Sequence, residues 1–287
     1  MEIEVVEYAA KQARDAGYRD ESTAAMIEQA LQKGGDKVSV FPTPVRYDEG
    51  TASTELVYNL SKTTGKYYLN AIDMSVMKND GTVMKYAFKI DQNNKWTQKM
   101  AYNTLMGRAV YRMVKPKEKE EYGAWFQFNR EKLEKREYDL LQYHPNYGFK
   151  LEEVVKKYDL ENTKTEKGFE DLIKDLKRGN QQEVKFILDG KVVPGFIEAA
   201  PSWKSVNTYD HEKVMFPEGH VLSGHYKGNH HAKTTEVKEG PSQKEVVAQV
   251  DKQAMNSPAQ KKTSSRRKNT DEEGNKLPSS RKKGNKV

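Results

Sequence analysis

The sequence predicts an α+β fold: two helix-plus-antiparallel-sheet units followed by a disordered basic tail. Three observations lead there. Alternating apolar and polar residues come in clusters joined by Gly- and Asp-containing turns, which is how hairpins read. Helical stripes precede those clusters instead of alternating with single strands. Aromatic and aliphatic residues are dense as far as Phe216 and sparse after it.

The elements follow in order. "EVVEYAAKQARDAG" reads as a helix stopped at Gly17, and "DESTAAMIEQALQKGG" as a second, with Asp20 or Ser22 as N-cap. "KVSVFP" is extended. The stretch from Thr54 to Asp91 gives three strands joined by "TTGK" and "NDG". In its last strand Met84, Tyr86, Phe88 and Ile90 alternate with Val83, Lys85, Ala87 and Lys89, so one face is apolar and the other open to water. "TQKMAYNTLMG" is a short helix capped by Thr97 and ended by Gly107. "RAVYRMV" and "EYGAWFQFN" are strands, and "EYDLLQYHPNYGF" closes the first unit, residues 1–145, through a Pro-Asn turn.

The second unit, 146–216, opens with two helices. Leu151, Val154, Val155 and Tyr158 fall at i, i+3, i+4 and i+7, and Phe169, Leu172, Ile173 and Leu176 repeat the spacing. "QEVKFILDGKVVPGFIEAAPSWKSVNTYD" then supplies three strands, the first turn at Asp189-Gly190. Each unit shows a helix ending in Leu-basic-Gly followed by strands that end in Asp. That echo suggests an internal duplication, against the alternative that short apolar patterns recur by chance.

Residues 217–287 form the third segment, a polar linker and basic tail. Only 36% of the chain is apolar and 32% is charged. A segment poor in apolar residues cannot offset the entropy cost of ordering, so disorder is expected there. The stretch 261–287 holds 10 of the 49 Lys/Arg and 3 of the 42 Asp/Glu, which leaves the preceding 260 residues balanced at 39 and 39. The whole excess of +7 therefore sits on this stretch. Clustered cations on a flexible arm attract polyanions by counterion release, without reading sequence. Lys261, Lys262, Arg266, Arg267, Lys268, Arg281, Lys282 and Lys283 are the candidate DNA or RNA contacts; a solubilising tail is the alternative.

The signals for chemistry are sparse. The chain has no Cys, which removes disulfides, thiol nucleophiles and Cys-type zinc sites. Phosphate-loop, dinucleotide, zinc-protease and nucleophile-elbow motifs are absent. The acidic start lacks the pattern of a signal peptide, and no run is apolar enough to span a bilayer; a cytoplasmic protein without membrane contact is expected. His144 and His211 lack a paired nucleophile. His220, His225, His230 and His231 match no usual metal spacing, so no metal or cofactor is expected. Two residues stand as possible ligand contacts. Trp125, on the opposite parity from Tyr122, Ala124, Phe126 and Phe128, is either exposed for stacking on a base or, as favoured, covered by a helix. Arg108 could grip a phosphate or carboxylate, or pair with a local carboxylate, the favoured reading. Lys85, Lys89, Arg108 and Arg112 could also make a basic patch on the body.

The stretches "MAYNTLMGRAVY", "YGAWFQF", "NYGFKLEEVVKKY", "LKRGN" and "FIEAAPSWKSVNTYD" resemble, in order, an uncharacterised family encoded by Bacteroidetes conjugative and other mobile elements. The "RRK…RKKG" end is similar to that family's tails. "VSVFPTPVRYDEGTASTELV" departs from the pattern. The resemblance carries no catalytic motif and implies a setting in DNA metabolism by association. The expectation is a non-enzymatic accessory protein of a mobile element, with weak non-specific affinity for nucleic acid through its tail and an unknown protein partner. A protein-interaction module whose tail only aids solubility is the rival.

Overall fold

The structure, a computed structural model, describes residues 3–91, 93–116, 120–217 and 247–249. It is an α+β protein of short helices and antiparallel sheets.

Helix α1 (Ile3–Asp15) buries Ala9, Ala10 and Ala13, and α2 (Glu21–Gln32) buries Thr23, Ile27 and Leu31. Small alanines let α1 approach the first sheet closely enough for the Tyr58 hydroxyl to reach the Ala9 carbonyl at 3.2 Å. Asp20 is the N-cap of α2, accepting from the Thr23 amide at 2.8 Å. The first sheet contains β1 (Lys37–Val40), β2 (Val45–Tyr47), β3 (Gly50–Leu60), β4 (Tyr67–Lys78) and β5 (Val83–Lys89), ordered β1-β3-β4-β5 with β2 folded back on β3. The expected alternation holds in β5: Met84 and Phe88 are buried, while Val83, Lys85, Ala87 and Lys89 are exposed.

Thr97 caps α3 (Gln98–Leu105) by accepting from the Met100 amide. The second sheet runs β6 (Val110–Val114), β7 (Tyr122–Phe128) and β8 (Leu140–Tyr143). Between β7 and β8 lies one turn of helix, α4 (Arg130–Glu134), capped by Asn129. This turn has no signature in the sequence, because five residues rich in charge carry no apolar stripe.

Two helices, α5 (Leu151–Val155) and α6 (Glu166–Lys177), precede the third sheet. That sheet is a meander of β9 (Gln182–Leu188), β10 (Lys191–Ala200) and β11 (Ser205–Asp210), ordered β11-β10-β9. Asp189 and Gly190 both have positive φ, +50° and +73°, as a two-residue hairpin loop requires. A last strand, β12 (Val247–Gln249), pairs antiparallel with the outer edge of β8. Apart from Pro217 and β12, the expectation of disorder over 217–287 falls outside the described residues.

The second sheet serves two cores. Ala124, Phe126 and Phe128 pack with α3 and the first sheet; Trp125, Leu141 and Tyr143 pack with α5, α6 and the third sheet. At the seam Asn103 is fully buried and donates to the Arg178 carbonyl at 2.8 Å and to the Asn180 side chain at 2.9 Å. Gly179 sits beside it with φ +80°; a Cβ there would come within 2.7 Å of the Val110 side chain and 2.9 Å of the Ala109 carbonyl.

Candidate functional site

The described residue with the most concentrated polar chemistry is Glu198, on β10. It stands in a run of buried residues, Ile197 to Ala200, and its side chain is 7% exposed. A carboxylate so placed must be both hydrogen-bonded and charge-compensated. Antiparallel register supplies the first requirement, since Glu198 faces Asn207 and Phe196 faces Tyr209, which puts Asn207 and Tyr209 on one side with Glu198. The Asn207 amide donates to Glu198 Oε1 at 2.8 Å and the Tyr209 hydroxyl at 2.6 Å. Two guanidiniums supply the second. Arg130, the first residue of α4, donates to the same oxygen at 3.2 Å, and Arg108 Nε lies 3.7 Å from Oε2. Burial, then the adjacent Glu198 charge, pushes the Tyr209 hydroxyl well above the ordinary phenol value. Glu198 thus holds Tyr209 as a protonated donor.

Arg108 is 11% exposed and paired locally: it donates to Glu49 and to the Asn103 side chain at 3.1 Å. This is the local-carboxylate pairing favoured above. Around this network opens a cleft of about 600 Å³. Its floor is apolar, with Met84, Leu105, Met106 and Leu133. Its polar walls carry Arg108, Arg130, Arg136, Lys78 and Lys213 together with Glu49, Glu134 and Glu198. Another hollow, of about 460 Å³ beside α6, is lined by Met100, Tyr111, Phe169 and Ile173 and by charged residues that pair locally, Lys177 with Glu152 at 2.6 Å and Arg178 with Asp175 at 3.2 Å.

The other sequence candidates are placed elsewhere. Trp125 is 4% exposed, its ring set 5.4 Å from Tyr111 and 5.3 Å from Phe149, so it presents no face to a base. Arg112 is no part of a surface patch. Its guanidinium is buried 3.9 Å from the Trp96 ring centre and 4.0 Å from that of Phe126, with hydrogen bonds to the Asn94 side chain and the Lys95 carbonyl. Burial pushes its pKa down to about 9, a fall that the Asp91 charge opposes. Lys85 and Lys89 lie on the outer face of β5, so the proposed basic patch is not assembled. The eight tail cations and the four clustered histidines lie outside the described residues. Among the described residues no group of His, Asp and Glu converges to hold a metal ion, and no helix is long and apolar enough to cross a membrane.

Sequence reasoning missed Glu198, Arg130 and Tyr209. The available signal was the acidic residue inside "FIEAA", since a carboxylate in an apolar strand needs partners. No family model, curated protein or solved structure matches the chain.

Proposed function

We propose that the protein is a non-enzymatic accessory protein that associates weakly and without sequence preference with DNA or RNA through its basic tail, while its folded body engages a protein partner. The observation that carries this reading is the charge distribution: the full excess of +7 lies in residues 261–287, attached to a body balanced at 39 and 39. The state of Glu198 supports binding over catalysis, because one of its oxygens already accepts from Asn207, Tyr209 and Arg130. The setting, inside the cell on a mobile genetic element, rests on the family resemblance alone. The shared order of α2 with β1, β3 and β4 and of α6 with β9, β10 and β11 supports an internal duplication as part of the same reading.

The test compares the full chain with a variant in which the eight named tail cations become Ser. Anisotropy on one DNA duplex and one RNA strand, across a salt series, should give dissociation constants of roughly 10⁻⁴–10⁻⁶ M for the parent, falling off steeply with salt. The variant should lose most of the affinity and most of the salt slope. Retention of both would move the binding surface to the body. Absence of binding by either protein at low salt would leave the protein-interaction module as the standing function.

A further inference from the structure

Two backbone anomalies converge on the cleft. Helix α4 ends in a Schellman motif: the Arg136 amide donates to the Leu133 carbonyl and the Glu137 amide to the Lys132 carbonyl, both near 2.9 Å. The residue after the cap in that motif takes left-handed backbone and is usually Gly. Here it is Arg136, with φ +61°. Across the cleft, residues 211–213 link Asp210 to Val214, whose backbones bond to each other at 2.9 Å. The last residue of such a three-residue loop is again left-handed and again usually Gly. Here it is Lys213, with φ +63°. Both positions therefore carry a strained cation where Gly would be relaxed, and both side chains line the same cleft.

Neither cation is consumed by the fold. Arg136 is exposed, and among the described residues its guanidinium has no hydrogen-bond or ion-pair partner. Lys213 Nζ lies 3.9 Å from Asp48, whose carboxylate is 92% exposed, and 5.1 Å from the centre of the Phe196 ring. Lys78, also on the wall, is 3.9 Å from Asp80. Pairs this long and this wet hold their lysines weakly. Two of the three cleft carboxylates, Glu49 and Glu198, are compensated by Arg108 and Arg130; Glu134 remains as the group that an anion would have to avoid.

We infer that this cleft is a phosphate-binding site in which Arg136 and Lys213 contact the ligand and Lys78 adds charge, while Arg108 and Arg130, held by Glu198, position the walls. The site is separate from the tail and stands or falls without it. Phosphate presented by a nucleic-acid strand and phosphate on a small molecule share the chemistry.

The probe is inorganic phosphate, titrated into the full chain at constant ionic strength against chloride, with calorimetry and thermal melting as readouts. Phosphate should bind saturably and raise the melting temperature more than chloride does. Arg136→Gly and Lys213→Gly remove the cation and relieve the backbone, so each should melt no lower than the parent without ligand. Each should weaken phosphate by about tenfold or more, as expected for a lost charge-assisted hydrogen bond. The serine variant of the tail should bind phosphate as the parent does. Competition by a short oligonucleotide would assign the site to a strand, and binding without competition to a small phosphorylated ligand. Phosphate acting no better than chloride, or binding unchanged in both glycine variants, overturns the site. Loss of phosphate binding in the tail variant alone also overturns it, and leaves the tail reading intact.

Discussion

Trp125 and Phe126 are neighbours on one strand, and their rings lie in different cores. Both are almost fully buried, at 4% and 2% exposure. Phe126→Ala and Trp125→Ala should therefore each cost about 3–5 kcal/mol, from lost burial plus the cavity left behind. Lys89→Ala, exposed on β5, should stay within about 0.5 kcal/mol. Chemical denaturation of the three variants measures this; a small loss at Trp125 alone would mean that the second core does not rely on that ring.

Removing the hydroxyl of Tyr209 leaves Glu198 with one fewer donor in a buried place. Tyr209→Phe should lower stability by about 1.5–3 kcal/mol, the range for hydrogen bonds to charged groups. Glu198→Ala should cost more, about 3–5 kcal/mol, because it removes at once the acceptor that Asn207, Tyr209 and Arg130 share. The double variant should lose less than the two single losses added together, since both act on one network. Strict additivity in this cycle would show that the 2.6 Å contact carries no coupling.

Alkali should expose the same tyrosine. Burial raises the phenols of Tyr18, Tyr58 and Tyr209 above the ordinary 10.0, aided at Tyr209 by the Glu198 charge. An acid with a raised folded pKa holds more protons folded than unfolded once the pH passes the unfolded value. Stability is therefore level below about pH 10 and falls as the pH rises beyond it. A pH titration followed by tyrosinate absorbance and circular dichroism should show these phenols ionising together with unfolding. Smooth ionisation of all sixteen tyrosines with the fold intact would contradict their burial.

Periodicity made most of the fold legible. The Asp189-Gly190 turn, the Thr97 cap and the alternation of β5 are local facts, encoded within a few residues of where they act. Helix α4 was illegible because one turn is too short to show a stripe, and β2 because three residues are too few to alternate. The site was less legible still. Glu49, Arg108, Arg130 and Glu198 come from four distant parts of the chain, and nothing local to any of them announces the others. The direction of Arg112 was misjudged for a related reason: a cation usually faces water, and only the rings of Trp96 and Phe126 make its inward position tolerable.

Because the two faces of the β6–β8 sheet are covered by different halves of the chain, the second core is complete in neither half alone. A chain cut near residue 145 would keep Trp125, Leu141 and Tyr143 but lose the α5, α6 and third-sheet residues packed on them. It would present a sticky, water-facing layer of aromatics, the kind of surface that drives aggregation. Loosening the later half should therefore expose the middle sheet, and heat should melt both cores in one step.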